Sequence, residues 1–244
     1  MFSDDDVAAL YDLMNPWDPA GRGDAGFYAE FVMAAGSVLD VGCGTGLMLH
    51  SAREHGHTGR LTGLDPDPVS LARARQRDDI EWVEAAAADA PWLAEFDLAA
   101  MTGHAFQCLI SDEEVRASLA GVRRALRDSG RFAFETRHPQ ARAWQAWNPS
   151  NPSDFTDSSG RRLRVWHEVE SVVGDVVTLT ETTAEADGQV LRVDRSELRF
   201  IGVETLSDFL DEAGFEITAQ YGGWDRRPID ASSREIITIA RKSS

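Results

Sequence analysis

The chain has 244 residues, 43% of them hydrophobic, which suffices for one large α/β domain or for one domain with a small insertion. Its 24 basic and 41 acidic residues give a net charge of −17, and a surface of that sign repels nucleic-acid backbones and anionic membrane faces. We therefore expect no nucleic-acid partner and no membrane partner.

The cysteine content and the N-terminus narrow the class of protein further. Cys43 and Cys108 are the only cysteines, and without metal-ligand spacing they indicate neither a disulfide framework nor a metal site. The acidic start from Met1 to Asp6 lacks the apolar core of a signal peptide, and no run approaches the ~20 apolar residues of a membrane span. These features predict a cytoplasmic protein that holds no metal.

Two helices are predicted at the start of the chain. Ser3 and Asp6 match an N-cap pair, and apolar residues at helical spacing follow them to Met14, before Pro16 ends the run. A second helix is expected from Asp24 to Ala35.

The stretch from Val38 to Gly46 reads Val-Leu-Asp-Val-Gly-Cys-Gly-Thr-Gly. An apolar, β-branched run that breaks into three glycines at alternate positions and then continues at helical spacing predicts a strand, a tight loop and a helix. Glycine lets the chain pass close to a ligand, and the helix start offers unpaired N–H groups. The loop is therefore shaped to hold a small ligand.

With Asp40 ahead of the glycines, this stretch resembles the first motif of the class I S-adenosylmethionine (SAM)-dependent methyltransferases, Asp-x-Gly-x-Gly-x-Gly. The resemblance implies SAM as cofactor and places around it Asp40, Gly42, Cys43, Gly44, Thr45 and Gly46. Dinucleotide-binding Rossmann enzymes usually space the third glycine one residue later. A nicotinamide-dependent oxidoreductase is therefore disfavoured, whereas a non-catalytic regulatory module that binds SAM or a nucleoside stays open.

The second strand is expected to end at Asp65, and Asp67 and Pro68 then begin a helix. An acidic side chain at a strand tip can accept hydrogen bonds from both ribose hydroxyls of a nucleoside. The resemblance to the second family motif assigns Asp65 to the cofactor ribose, with Pro66 beside it. The alternative is an exposed carboxylate at the end of a strand.

The third strand, Ile80 to Val83, leads through an alanine run to Asp89. In the family, an aspartate at the end of this segment accepts from the adenine amino group, and the backbone just before it contacts the ring. The resemblance therefore implies Ala88 and Asp89 for adenine. Because the alanine run weakens the register, a neighbour could serve instead.

The fourth strand runs from Phe96 to Met101 and is followed by a polar and aromatic segment, Thr102 to Gln107. In this fold the segment lies beside the transferable methyl group, so the resemblance implies Met101 at the cofactor and makes His104 the leading candidate for contact with the acceptor. A histidine is also able to act as a base near neutral pH.

A capping box of Ser111 and Glu114 begins the next helix, which is expected to stop at Asp128 to Gly130 before a fifth strand, Arg131 to Glu135. Five strand–helix alternations predict a doubly wound, mostly parallel sheet with its ligand crevice at the carboxyl ends of the strands. The polar side chains expected at those ends are Asp40, Asp65, Asp89, His104 and Glu135.

The segment from Thr136 to Ser159 contains prolines, asparagines and serines, and a long loop is predicted there. Three strands then alternate in the strand period, Leu163 to Val173, Val176 to Thr183 and Val190 to Ile201, with hairpin turn signals between them. They predict an antiparallel β-subdomain inserted after the fifth strand. Such an insertion commonly covers the acceptor pocket in small-molecule methyltransferases, although a dimer face or simple packing is as good an interpretation.

A final helix, from Leu206 to Ala213, and two strands, Phe215 to Tyr221 and Ile236 to Ala240, match the antiparallel ending of the family's seven-stranded sheet. The expected division is a helical cover in 1–36, the SAM-binding core in 37–138, the loop and β insertion as an acceptor lid in 139–201, and the C-terminal part of the core in 202–244.

The resemblance implies methyl transfer from SAM to a small organic acceptor, most often on nitrogen or oxygen. An amine has only to lose a proton, while a hydroxyl benefits from a base near neutral pKa, for which His104 and His138 are the candidates. The residues expected around the acceptor are Tyr11, His104, Glu135, Arg137 and Trp144. The alternatives for the first three are a buried core tyrosine, a structural histidine and a carboxylate that caps a loop. A homodimer is compatible with the sequence.

Overall fold

The computed structural model describes residues 2–243, which form a seven-stranded sheet with helices on both faces and a separate four-stranded antiparallel sheet. The strands of the large sheet are β1 (Ser37–Val41), β2 (Arg60–Asp65), β3 (Glu81–Glu84), β4 (Phe96–Met101), β5 (Leu126–Arg137), β10 (Phe215–Tyr221) and β11 (Glu235–Lys242). Those of the small sheet are β6 (Ser153–Thr156), β7 (Arg162–Val173), β8 (Val176–Glu185) and β9 (Val190–Arg199). The helices are α1 (Asp4–Met14), α2 (Gly23–Ala34), α3 (Leu47–Glu54), α4 (Pro68–Ala74), α5 (Asp112–Ala125) and α6 (Val203–Glu212).

The large sheet has the order β10-β11-β5-β4-β1-β2-β3, and its first five strands in the chain pair in parallel. β11 runs antiparallel to both of its neighbours. The carboxyl ends of β1, β2, β4 and β5 therefore share one edge of the sheet with the amino end of β11. This is the predicted doubly wound fold, and this edge positions the site.

The caps expected from the sequence form. Ser3 and Asp6 make a capping box at α1, and Asp67 caps α4 by accepting the N–H groups of Val69 and Ser70. A second capping box begins α5. Each cap satisfies N–H groups that have no partner within the helix, which explains why the three helices begin where they do.

Two apolar clusters lie on the two faces of the large sheet. One joins α5 and α6 to the sheet and includes Phe132 and Phe134 of β5. The other joins α2 and α3 to the opposite face and includes Ala133. The alternation along β5 follows from the two-residue period of a strand, and it anchors this strand between both helical layers.

The small sheet has one strand more than the sequence predicted. β6 pairs with β7 in the segment expected to be a loop, with Ser153 opposite Val165. It has only four residues, mostly exposed, so it carries no apolar alternation that would indicate a strand. α1 packs on this sheet, because Phe2 and Leu10 share a cluster with Leu163 and Val165.

The end of α5 also differs from the prediction. The helix ends at Ala125 and β5 begins at once, whereas a turn was expected at Asp128 to Gly130. That stretch is an irregular part of the strand, in which Ser129 has a φ of 62° and the pairing with β4 shifts register. Within residues 2–243, none of the helices is long and apolar enough to cross a membrane.

Candidate active site

The glycine loop between β1 and α3 lies against the end of β2. The N–H groups of Gly42 and Cys43 donate to the carbonyl of Leu64, at 2.7 and 3.1 Å. Gly46, at a φ of 81°, lies on the Trp82 ring, where an added Cβ would stand 2.4 Å from a ring carbon. At Gly44, with a φ of 53°, an added Cβ would meet nothing within 4 Å. The loop is closely packed beneath and open on the side where a ligand is expected.

Asp65 connects the end of β2 to this loop. Its Oδ2 accepts the Gly44 N–H at 2.7 Å and its Oδ1 accepts the Asp67 N–H at 2.8 Å. Burial raises the pKa of its carboxyl, and the residue is only 8% exposed. The alternative of an exposed carboxylate is therefore wrong. Each oxygen keeps capacity for another donor, as a ribose diol requires. Pro66, the next residue, is exposed.

Asp40 is buried beside the loop, and one oxygen of its carboxylate lacks a hydrogen-bond partner within the described residues. It is 2% exposed, and its Oδ1 accepts no hydrogen bond from residues 2–243. Burial, together with the nearby carboxylates of Asp65 and Glu135, raises its pKa to about 8. A buried carboxylate without a partner is costly, and a cationic group would relieve that cost. The residues present therefore fit SAM, which carries an ammonium and a sulfonium.

Two other loop residues are occupied by contacts within the protein. The Thr45 hydroxyl donates to Asp12 Oδ1 of α1 at 2.5 Å, and Thr45 is 5% exposed. The Cys43 sulfur lies over Gly63, 2.8 Å from where a Cβ would stand, and burial raises the pKa of this thiol. Cys43 is a packed filler of the loop, and Thr45 connects the loop to α1.

The segment expected to hold adenine follows β3. The Ala85 N–H donates to the Asp65 carbonyl at 3.1 Å, so the chain beside Asp65 is Ala85 and not Asp89. Asp89 ends a short 3-10 turn, Ala87–Asp89, with an exposed side chain, while Ala88 is half-buried. Met101, at the end of β4, is 4% exposed. The adenine roles of Ala88 and Asp89 stay predictions.

A second buried carboxylate, Glu135 of β5, lies at the same edge of the sheet. Its Oε2 accepts the Tyr28 hydroxyl of α2, and its Oε1 accepts the main-chain N–H of His104 at 2.8 Å. The residue is 2% exposed, and burial raises the pKa of its carboxyl although His104 opposes the shift. Glu135 thus fixes α2 and the loop after β4 against the end of β5.

The His104 ring is held by a residue that the sequence did not indicate. Its Nε2 lies 3.0 Å from Oε2 of Glu235, the first residue of β11, and the two side chains are 21% and 19% exposed. The two residues are 131 positions apart in the chain. Only the antiparallel β11 brings Glu235 to this edge, because that strand alone begins where its neighbours end.

Tyr11 of α1 faces the same crevice. Its hydroxyl oxygen stands 3.3 Å from where a Cβ of Gly103 would lie. The residue is 46% exposed, but burial of the phenol, with Cys108 and Glu135 nearby, raises its pKa. The hydroxyl of Tyr11 thus lies at the loop after β4, beside the residues expected around the acceptor, and its contact with the acceptor stays a prediction.

Arg137 is the last residue of β5, two positions after Glu135. Its Nη1 donates to Oε1 of Gln107 at 3.0 Å, and its guanidinium carbon lies 5.4 Å from the centroid of the Trp147 ring. Trp144, the aromatic residue expected at the acceptor, instead packs edge-on against Phe200 with ring centroids 4.5 Å apart. Trp147 is the tryptophan that the structure places against Arg137.

His138 does not have the environment of a base. It is 5% exposed, its Nδ1 accepts the Gln140 N–H at 3.1 Å, and its main-chain N–H donates to the Arg234 carbonyl at 2.7 Å. Burial lowers its pKa, which keeps the ring neutral. The prediction that His138 is a base is not supported, because the ring nitrogen that could accept a proton already holds the turn that follows β5.

α1 is attached on both sides of the crevice. Asp12 pairs with Arg73 of α4 at 3.2 Å in addition to its bond with Thr45. Toward the small sheet, Asp4 pairs with Arg192 at 2.5 Å and Asp6 with Arg161 at 3.4 Å. The helix therefore joins the glycine loop and α4 to the small sheet.

Comparisons with known proteins agree with this geometry. A family model described as a methyltransferase domain matches residues 38–130. The cypemycin N-terminal methyltransferase of a Streptomyces species is 25% identical over 258 residues, which cover 98% of this chain and 97% of the relative. The 2-phytyl-1,4-naphtoquinone methyltransferase of Thermosynechococcus vestitus is 33% identical over 155 residues, covering 58% of this chain and 67% of the relative.

Among solved structures, the fold is similar to that of SAM-bound CalS10, described as an amino pentose methyltransferase from Micromonospora echinaspora. The TM-score is 0.71 at 20% identity, with 96% of this chain and 97% of that chain covered. At this identity the similarity concerns the fold alone.

Proposed function

Since this chain belongs to the class I SAM-dependent methyltransferases, we propose that it transfers the methyl group of SAM to the amine nitrogen of a small organic acceptor. The family assignment removes the nicotinamide-dependent alternative. It also makes the chain an enzyme, so the regulatory module is no longer the favoured alternative.

The observation that carries the proposal is the convergence of Glu135 and Glu235 on His104. Both carboxylates lie on the acceptor side, and each contacts His104 directly, at its main-chain N–H and at its ring. Such a site attracts an ammonium group, which must then lose one proton before nitrogen can attack. The relative named the cypemycin N-terminal methyltransferase supports this proposal, because an N-terminus presents an amine.

Bound SAM supplies a methyl group on a positively charged sulfur, and attack on it requires a nucleophile in line with the carbon–sulfur bond. Asp65 would hold the ribose hydroxyls, and Asp40 would hold the ammonium of the methionine part. The open side of the loop at Gly44 would accommodate the remainder. These residues position the cofactor by hydrogen bonds and charge, and none of them takes part in bond breaking.

On the acceptor side, Tyr28 and the His104 N–H each donate to one oxygen of Glu135, and the negative charge of this carboxylate would favour a cationic amine in the crevice. Glu235 binds Nε2 of His104, which leaves Nδ1 as the ring atom able to take the proton of the amine. The tautomer with hydrogen on Nε2 is the one that this contact favours, because a carboxylate accepts and an N–H donates. His104 is thus the proposed base and Glu235 its positioning residue.

Methylation of a hydroxyl is the second candidate. The His104–Glu235 pair favours it, because a hydroxyl has a higher pKa than an ammonium group and needs a base more. Methylation of a hydroxyl gives no role to the negative charge of Glu135, because an alcohol carries no positive charge that the carboxylate could stabilise. We therefore rank it after the amine.

The test uses matched acceptors that differ in one group. The protein is incubated with isotopically labelled SAM and with an amino sugar or its parent sugar, and with a peptide that has a free or an acetylated N-terminus. Label on the free amines alone, found by mass spectrometry, is the expected result. Label on the parent sugar with none on the amines would support the hydroxyl and contradict the amine. A boiled sample and an excess of S-adenosylhomocysteine are the controls.

A further inference from the structure

Arg137 is half-buried in the acceptor crevice without a carboxylate partner. Within residues 2–243 no Asp or Glu comes within salt-bridge distance of its guanidinium, although the chain has 41 acidic residues for 24 basic ones. Arg199, which is also largely buried, pairs with Asp175 at 2.7 Å and with Asp112 at 2.8 Å. Arg123 and Arg131 are also half-buried without a carboxylate partner within those residues, so this absence is not unique to Arg137. Arg137 differs from them in its position at the carboxyl end of β5, the edge of the sheet that holds Glu135 and His104.

The guanidinium is held by a neutral group. Gln107 is fully buried, and its Oε1 accepts both the Nη1 of Arg137 at 3.0 Å and the main-chain N–H of the same residue at 3.3 Å. The Gln107 Nε2 donates to the Arg199 carbonyl at 3.0 Å, which fixes the oxygen toward Arg137. The amide orients the guanidinium but does not neutralise it. Burial lowers the pKa of Arg137, although the nearby carboxylates of Glu235 and Glu135 oppose this shift.

The nearest candidate for a partner is directed elsewhere. Glu235 lies opposite Arg137 in the pairing of β11 with β5, yet its carboxylate contacts the His104 ring. Arg137 follows Glu135 by two residues on β5, so both side chains leave the strand on the same side, with their Cα atoms about 6.5 Å apart. The crevice thus has an acidic part at Glu135 and Glu235 and a basic part at Arg137.

We propose that Arg137 binds an anionic group of the acceptor, a carboxylate or a phosphate, so that the enzyme selects amines that carry such a group a few ångströms from the nitrogen. This selectivity rests on the proposed function, because the amine is the group that the acidic part receives. A guanidinium matches a planar carboxylate or a phosphate with two parallel hydrogen bonds, and Trp147 covers its face at 5.4 Å. The anion would supply the salt-bridge partner that no Asp or Glu within residues 2–243 provides.

The first test measures anion binding without any acceptor. Inorganic phosphate and malonate are titrated by calorimetry into protein saturated with S-adenosylhomocysteine, at low ionic strength. We expect saturable binding of at least one of them to the native protein, and the stronger of the two indicates whether the group is a phosphate or a carboxylate. Arg137→Gln should weaken it by about tenfold or more, since charge-assisted hydrogen bonds are lost.

Two further variants make this test specific. Arg142→Gln removes an exposed arginine five residues further along and should bind the anions as the native protein does. Arg137→Lys keeps the charge without the planar fork, so it should bind more weakly than the native protein and more tightly than Arg137→Gln. The melting temperature of each variant shows that it is folded. Absence of saturable binding, or equal binding by Arg137→Gln, would overturn the proposal.

The second test uses turnover, once an amine acceptor is known. An acceptor with its carboxylate is compared with its neutral amide. In Arg137→Gln we expect KM to rise about tenfold or more for the anionic acceptor with little change in kcat, and no change in kcat/KM for the amide. If no amine is methylated, the proposed function fails while the anion titration still decides on Arg137. If amines are methylated but the anionic and neutral acceptors respond alike to the substitution, only the role of Arg137 fails.

Discussion

The Glu135 carboxylate accepts the main-chain N–H of His104 at 2.8 Å, across 31 positions of the chain. His104 has a φ of 62°, a conformation that costs a residue other than glycine on the order of 1–3 kcal/mol and persists where the surroundings impose it. The bond to Glu135 is one such constraint, and the contact of the ring with Glu235 is another. The loop after β4 is therefore set in place before any ligand arrives.

Glu135→Gln tests the charge of this carboxylate with little change of shape. A glutamine can still accept the His104 N–H, and Tyr28 can accept from its amide, so the fold should be retained. Loss of the charge that faces the amine should raise KM for an amine acceptor about tenfold or more. Steady-state kinetics on the purified variant measure this. Glu216→Gln on β10, an exposed residue paired with Arg241, is the matched control and should behave as the native protein.

His104→Asn tests the proposed base. Asparagine tolerates positive φ better than most residues, so the loop should keep its conformation. Turnover should fall by the ~10²–10⁴ typical of general acid–base catalysis, while the affinity for SAM stays within a few-fold. His55→Asn, at an exposed position after α3, should have no effect on turnover. Full turnover in a stable His104→Asn protein would remove the histidine from the mechanism.

Glu235→Gln separates the positioning role from the base itself. The glutamine can still accept from Nε2 of His104 but no longer stabilises a positively charged ring. We expect a smaller loss of turnover than for His104→Asn, because the base remains and only the carboxylate that stabilises its protonated form is lost. Turnover equal to that of the native protein would show that Glu235 only packs against the ring.

Asp40 predicts how stability and cofactor binding depend on pH. Its pKa is raised from 3.8 to about 8 in the folded chain, so the folded state binds the proton more tightly than the unfolded state does. The stabilisation that follows is complete below about pH 4 and is lost as the pH rises toward 8. Burial lowers the pKa of His138, so this residue has the opposite effect. It reduces the stability of the folded state as the pH falls below 6.5.

The measurement is therefore made between pH 6.5 and about 8.5 by urea unfolding without ligand, with the native protein and Asp40→Asn side by side. The native protein should lose stability across this window and the variant should lose less. SAM should bind more tightly as the pH rises, since its cation favours the ionised carboxylate, and the variant should lose this dependence. Parallel curves for the two proteins would mean that Asp40 does not titrate there.

Asp65→Ala should weaken SAM binding at least tenfold, because a carboxylate that accepts two hydroxyl groups is lost. The structure adds that stability should also fall, since the carboxylate holds the N–H groups of Gly44 and Asp67. Asp67→Ala removes only the exposed cap of α4 and should cost about 1 kcal/mol of stability with SAM affinity unchanged. Calorimetry and thermal unfolding of both variants distinguish cofactor binding from loop support.

The residues that could be predicted from the sequence are those whose role is local. The glycine loop, Asp65 at the end of β2 and the helix caps follow from spacing within a few residues. Glu235 and Trp82 could not be predicted, because their place at the site depends on which strands become neighbours. That Trp144 packs against Phe200 while Trp147 covers Arg137 could not be predicted either, since a segment without regular period does not indicate the neighbours of its rings. The acceptor contact of Trp144 stays a prediction.

In the proposed reaction, the methyl group of SAM is transferred to an amine nitrogen. The most direct measurement is an NMR experiment in which SAM labelled with ¹³C at the methyl group is incubated with the protein and an amine acceptor from the matched set. We expect a new methyl signal with the chemical shift of an N-methyl group, formed by the native protein and strongly reduced with His104→Asn. A signal with the shift of an O-methyl group, or label that stays on SAM with every amine in the set, would contradict it.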